Sequence, residues 1–511
     1  MRAAAPERRA PAQVVWFKRD LRVRDHAPLA EAARRGPVIG LHITSPRLLS
    51  GPDADAAHLD FVHDSLLELR ASLQKLGVPL VFRTGGAVEV LAALHAEQPI
   101  HTLWSHQEIG VWESFQRDLA VGRWAQGAGV GWVELPQGGV RRPNPDRDDW
   151  AADWGRTVGA PMVPVPQGMV GAPPPAALGA PPEPEALGVP RLLRVERQAG
   201  GEAAGWETLR SFFVERGAGY RADMASPLSG WTSCSRLSPH LAFGTISARQ
   251  ALHATWRREG QLDRAAREGE AIDPRWGPSL QSFHKRLRWR CHFMQRLEDF
   301  PKLDREPINP AYGALRSGRH RDERWAAFTR AETGFPFIDA CLRCVRATGW
   351  LNFRARAMLV SVATWTMHLD WRAVGQLLAR AFLDYEPGIH WAQVQMQAGL
   401  VGINTPRLYN PTKQGEDHDP EGIFIRRWVP ELARLPRPFV HRPWETPPLL
   451  GLTLGFAPGR DYPLPIVDPC ATQQESRAEL AAVRADPAAW RASADVLARH
   501  GSRRRPPPRG R

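Results

Sequence analysis

Between residues 14 and 136 short apolar runs alternate with amphipathic stretches: VVWF, PLAEAARR, PVIGLHI, a helical pattern from about 57 to 76, PLVFR, AVEVLAALHAE, HTLWSH, a second helical pattern from about 111 to 126, and GWVEL. Apolar runs too short for a helix, separated by 3.6-residue periods, predict buried strands joined by crossover helices, which is a parallel α/β sheet. From about 201 to 436 the helical period dominates, with Ile338, Leu342 and Val345, then Leu351, Met358, Leu359 and Val362 at helical spacing. Between 137 and 200 neither period survives. The run PQGMVGAPPPAALGAPPEPEALGVP predicts a long connector over the surface, without sheet. The expected divisions are 1–136, 137–200, 201–436 and 437–511; the last opens Pro-rich, carries an amphipathic stretch at 474–499 and ends in the basic, low-complexity RRRPPPRGR. No repeat at solenoid periods occurs.

A chain of 511 residues exceeds what one core organises, which agrees with two domains. It has no apolar run of membrane-spanning length, and MRAAAPERRAPAQ lacks the apolar segment of a secretory signal, so a cytoplasmic protein is expected. The 5 cysteines form no disulfide framework. Cys341 and Cys344 make a CxxC inside a helical pattern with no second pair, so no metal site is expected. A net charge of +13 and a pI near 10.2 favour a polyanion, and DNA, damaged or single-stranded, is the expected partner; no obligate protein partner is indicated. The competing explanation is compositional: of 67 basic residues only Lys18, Lys75, Lys285, Lys302 and Lys413 are lysine, and part of the charge sits in the tail.

The chemistry concentrates in residues 332–431, where Trp350, Arg354, Arg356, Asp370, Trp371, Asp384 and Glu386 interleave with the apolar period. Buried arginines and acids are costly unless paired or committed to a ligand. From spacing alone, core helices with a structural ion pair and a pocket for a redox-active ring remain equally open. The turn after the first strand, FKRDLR, has neither GxGxxG nor a Walker loop, so no conventional dinucleotide or NTP site is expected there.

Three blocks bear on that choice: VVWFKRDLRVRDHAPL (14–29), TSCSRLSPHLAFGTISARQ (232–250) with RWRCHF (288–293), and the 332–431 region. In order and separation they resemble the photolyase and cryptochrome family. The resemblance implies an α/β N-terminal domain with a Rossmann-like parallel sheet, joined by the Pro/Gly-rich connector to an all-α FAD-binding domain. It implies FAD contacts from Tyr220, Ser235, Arg236, Leu237, Ser238, Trp289, Arg290, Asn352, Arg356, Asp384, Tyr385 and Glu386, with Arg354 on the same wall. Arg356 would stabilise a reduced, anionic ring and Asp384 would orient it. Cys234 and Cys291 stand where the family has Thr and Glu. His390 occupies the position facing flavin N5, where an imidazole titrating near neutrality would gate proton transfer. Some members carry a folate or flavin antenna pigment in the N-terminal domain, and Glu108 lies in the region where folate binds.

The resemblance also implies electron supply through a tryptophan relay. Trp371 aligns with its middle member, Trp391 lies close to the proximal position held here by Val394, and the distal member has no counterpart; Trp350, Trp365 and Trp325 offer other paths. The implied activity is light-driven repair of pyrimidine dimers by electron transfer from excited reduced flavin. Four positions of the substrate pocket depart from the family pattern: Arg286, Phe353, Ala357 and Met396. The two histidines of (6-4) enzymes are missing as well. A blue-light photoreceptor without repair activity, and a flavin or nucleic-acid binding protein without photochemistry, are the alternatives.

Overall fold

The structure, a computed structural model, describes residues 10–143, 147–192, 194 and 196–501; the expected basic tail at 503–511 lies outside the described residues. Strands β1 (Ala12–Phe17), β2 (Val38–Thr44), β3 (Leu80–Thr84), β4 (Ile100–His106) and β5 (Gly131–Leu135) form one parallel sheet in the order β3-β2-β1-β4-β5. Val14 pairs with Ile39 on one side and Leu103 on the other. Alternate β1 residues feed opposite cores. Val15 and Phe17 pack with Leu29 of α1 (Ala27–Arg35) and Leu69 of α2 (Ala56–Lys75). Val14 and Trp16 pack with Leu91 of α3 (Ala87–Glu97) and Val121 of α4 (Trp112–Gly127). Helices on both faces leave no wet side, which is why VVWF does not alternate.

The turn leaving β1 reaches into the helical half. Arg19 donates to the carbonyls of Ala242 at 2.9 Å and Tyr385 at 2.7 Å, and Arg22 to that of Gly244 at 2.8 Å. Two guanidiniums, one of them buried, thus fasten the sheet to the helices through main-chain acceptors.

In the helical half the elements that build the site are α5 (Trp276–Asp299), α6 (Pro336–Thr348), α7 (Phe353–Ser361), α8 (Trp371–Ala381) and α9 (Pro387–Gln397). Local chemistry sets their ends. Gly349, at φ 75°, takes the left-handed position that stops α6. Asp370 caps α8, its carboxylate accepting from the backbone N–H groups of Arg372 and Ala373 at 3.0 and 2.9 Å. Pro387 opens α9, where its missing N–H has no consequence.

Two expectations need adjustment. The connector does run over the sheet edge, with Val38 and Phe82 donating to the carbonyls of Val170 and Leu178 at 2.8 and 2.7 Å and one isolated bridge at Gly171. It also contains a helix, Trp150–Gly159, whose Trp150, Trp154 and Val158 pack with Leu209, Phe212 and Phe283. Helical packing continues beyond 436. Tyr462, Val467, Leu480 of α10 (Pro469–Ala485) and Val496 of α11 (Pro487–His500) share a core with Ile338, so we place the end of the helical unit near α11.

Candidate flavin site

A cavity of about 930 Å³ opens among the helices, toward the upper end of the range for ligand pockets. Arg356, projected from α7, meets Asp384 in the α8–α9 turn through two parallel bonds of 2.8 Å each. The guanidinium is held further by its Nε donating to the Leu351 carbonyl at 2.8 Å, and it lies 4.0 Å from the centre of the Phe382 ring. Burial pushes the Asp384 carboxyl up, but the charge and hydrogen bonds of Arg356, with the Ser238 hydroxyl and Arg236, outweigh it and hold the group below its usual value. Asp384 therefore stays ionised at neutral pH and holds the Arg356 guanidinium in the cavity wall.

Segment 235–238 adjoins this pair through the Ser238 hydroxyl. Ser235, Arg236 and Ser238 line the cavity. Arg236 adopts φ 59°, a left-handed conformation that strains a non-glycine residue. Its guanidinium lies against both the Trp231 and Trp350 rings, which meet edge to face, 4.2 and 4.1 Å from their centres, and burial lowers its pKa to about 10. Leu237 does not line the cavity; fully buried in the adjoining core, it anchors the segment. Tyr220, Trp289 and Asn352 complete this part of the wall. Asn352 donates to the Ala225 carbonyl at 2.7 Å. Its Oδ1 and the Nη1 of Arg236 are buried without a partner. An unmet donor and an unmet acceptor in the wall of one large cavity fit a ligand carrying both phosphate oxygens and a hydrogen-bonding heterocycle, as FAD does.

Arg290 and Glu386 form a second ion pair at 2.8 Å, with Arg290 also donating to the Leu241 carbonyl at 2.8 Å. Burial raises the Glu386 pKa and Arg290 opposes it. His390 lines the cavity, and its Nε2–H donates to the Gly375 carbonyl at 2.8 Å. Burial drives its pKa to about 4, so the expectation that it titrates near neutrality is corrected: the ring is neutral at pH 7.

Residues 283–482 match the family described as "FAD binding domain of DNA photolyase", and residues 13–144 match "DNA photolyase". A deoxyribodipyrimidine photo-lyase of Agrobacterium fabrum is 30% identical, the alignment covering 92% of this chain and 98% of the relative. The chain belongs to the photolyase and cryptochrome family. A cryptochrome DASH of Natronomonas pharaonis is 29% identical over 89% of this chain and 98% of its own. The crystal structure of a bacterial class III photolyase from Agrobacterium tumefaciens superposes with a TM-score of 0.77 at 27% identity, covering 95% of this chain and 100% of that one.

For a member of this family the relay residues stand in suggestive places. Trp391 is outside the cavity wall, directly behind His390 at 5.2 Å between ring centres, and Trp371 follows at 6.0 Å, nearly perpendicular. Both rings are buried. Val394, at the family's proximal position, lines the cavity. Trp350 is in the wall beside Arg236, Trp365 is buried under Arg316, and Trp325 packs on His320 away from the cavity wall.

One network was not legible in the sequence. Trp391 Nε1 donates to the Tyr385 hydroxyl at 3.0 Å, which donates to Asp53 at 2.7 Å. Asp53 comes from the N-terminal domain, and no motif or spacing links it to this wall. Gln393, one turn beyond His390, also lines the cavity and follows from helical spacing once His390 is placed. On the substrate side Arg286 stacks 4.5 Å from the centre of the Phe353 ring, and Ala357 and Met396 share that wall. Glu108 accepts from Arg117 at 2.8 Å and lines a cleft between the sheet and the helical half, together with Lys18, Arg19 and Glu386. Cys341 and Cys344 are buried free thiols within α6, and burial pushes the latter up to about 12.

Proposed function

We propose that this chain holds FAD in the cavity and uses blue light to repair pyrimidine dimers in DNA by electron transfer. The observation that carries this reading is the bidentate Arg356–Asp384 pair in a cavity of flavin size, with Trp391 and Trp371 in ring contact behind its wall. When bound, FAD supplies light absorption and the transferable electron. The chain supplies the rest. Arg356 offers a cation to a ring gaining negative charge, and Asp384 keeps that cation oriented. Arg236 and the Ser235 hydroxyl offer donors to phosphate oxygens, while the Ser238 hydroxyl is committed to Asp384. His390, neutral and tied to the Gly375 carbonyl, keeps its charge constant through the working pH range. Trp289 and Phe353, 42% and 39% exposed at the cavity, offer faces for a flipped-out base to stack on.

DNA as partner and a cytoplasmic location belong to the same reading; among the described residues no helix is long and apolar enough to cross a membrane. A second reading, a blue-light photoreceptor without repair, is favoured by the substrate wall, where Arg286, Phe353, Ala357 and Met396 replace the family's dimer-gripping set. Purified protein should be yellow and bleach under blue light with a reductant, more slowly in Trp371→Phe. Counting thymine dimers in irradiated single- and double-stranded DNA then decides: repair requires light-dependent loss of dimers, and bleaching without loss transfers the protein to the photoreceptor class. A colourless protein that refuses FAD defeats both.

A further inference from the structure

Helix α5 carries Trp289 on the cavity and, one and two turns along the same face, His292 and Arg296, which also line it. Arg296 is 4% exposed. One of its nitrogens, Nη2, donates to the carbonyl of His500, the last residue of α11, at 3.3 Å. Its Nε and Nη1, and the Nδ1 of His500, are buried without a hydrogen-bond partner. A guanidinium presents five N–H donors in a rigid fork, and a buried cation with donors unmet is costly to the fold unless a ligand completes it.

No acid among the described residues supplies that completion. Arg147 packs against the cluster and donates to Nδ1 of His292. Every charge that shifts Arg296 or His500 is a cation, and burial together with these neighbours lowers Arg296 to about 10 and His500 to about 3. The acids at the end of α5 are engaged elsewhere, Glu298 with Arg142 and Asp299 with Gln295. The wall therefore concentrates positive charge and unmet donors at one spot, a turn or two from the exposed face of Trp289.

We propose that Arg296, with His292 and His500, forms a phosphate-binding site in the cavity wall. Two sources share that chemistry: a backbone phosphate of a strand whose base stacks on Trp289, or a free phosphate or phosphomonoester. The site itself requires only that an anion reach the cavity; the strand as its source rests on the DNA reading above.

The FAD-loaded protein and its Arg296→Met and Arg296→Lys variants are titrated calorimetrically with inorganic phosphate, and separately with a single-stranded oligothymidylate over a range of salt concentrations. Flavin absorbance and circular dichroism confirm folding. Phosphate affinity is expected to fall about tenfold or more in the Met variant and to recover in part with Lys. The slope of log K against log salt for the oligonucleotide is expected to fall by about 0.7, one phosphate contact on a single strand. Loss of phosphate binding with an unchanged slope assigns the site to free phosphate; a reduced slope without phosphate uptake assigns it to the strand. Wild-type behaviour of Arg296→Met in both titrations overturns the proposal, as does a native protein that takes up neither ligand. Should Arg296→Met fail to fold, His500→Phe, which keeps a ring of similar size but removes the unmet nitrogen, is judged by the same two titrations. Absence of dimer repair in the native protein bears on the repair reading and leaves the phosphate titration interpretable.

Discussion

Asp384 and Arg356 are 28 positions apart in sequence, and the two 2.8 Å bonds between them form a charge-assisted fork. Asp384→Asn keeps the shape and removes the charge, stranding a guanidinium whose side chain is only 26% exposed. Breaking a buried pair from one side costs about 3 kcal/mol, and the variant should lose that much stability by urea titration and retain little flavin by absorbance. An unchanged stability together with full colour would show that the pair serves neither role. The pairing was legible through the family resemblance, which named both partners; spacing alone left a structural ion pair and a ligand pocket equally open. The environment of His390 was not legible: its position could be counted from Asp384, but its pKa of about 4 comes from desolvation by the surrounding helices, against which the Gly375 carbonyl works.

Between elements, close approach is set by glycine. Gly375 of α8 packs against the Trp391 ring of α9, where an added Cβ would stand 2.8 Å from Cη2 and closer still to Cζ3. Gly375→Ala must therefore displace the ring that touches Trp371. A loss of about 1–3 kcal/mol in urea unfolding is expected, as for other overpacked sites. Slower flavin photoreduction should accompany it in transient absorption if the Trp391–Trp371 contact carries electrons, and an unaltered rate would remove that pair from the relay. The strands and long helices were readable from period alone. The helix Trp150–Gly159 was hidden by its Pro/Gly-rich surroundings, although Trp150, Trp154 and Val158 recur at four-residue spacing, and the wider composition of the connector masked a short local signal.

At the scale of the whole molecule, burial of histidines sets the response to acid. Burial lowers His42, His240 and His390 to about 4, His106 and His500 to about 3 and His292 to about 2. Below the ordinary histidine value of 6.5 the unfolded chain takes up protons at these sites and the folded chain does not, so their contribution is full above that pH and is lost as pH falls toward 4. Asp304 and Asp339, raised to about 6 by burial, act in the opposite sense, as do Glu134, Glu202, Glu259, Glu386 and Asp419, which burial raises less; the six large histidine shifts outweigh them. The melting temperature should decline steadily from pH 7 to pH 4.5, and a flat or rising profile would show that these rings are not buried neutral in solution. The sequence by itself determined the parallel sheet, the helical second half and the residue types of the flavin wall, because strand and helix periods and short motifs are local properties of a chain. Only the tertiary structure decided which distant groups meet: Asp53 behind Tyr385, Arg19 on the Tyr385 carbonyl, and His500 above Arg296, 204 positions away. Those contacts depend on how whole layers dock, and docking is governed by summed apolar burial over many residues, which no single stretch of sequence encodes.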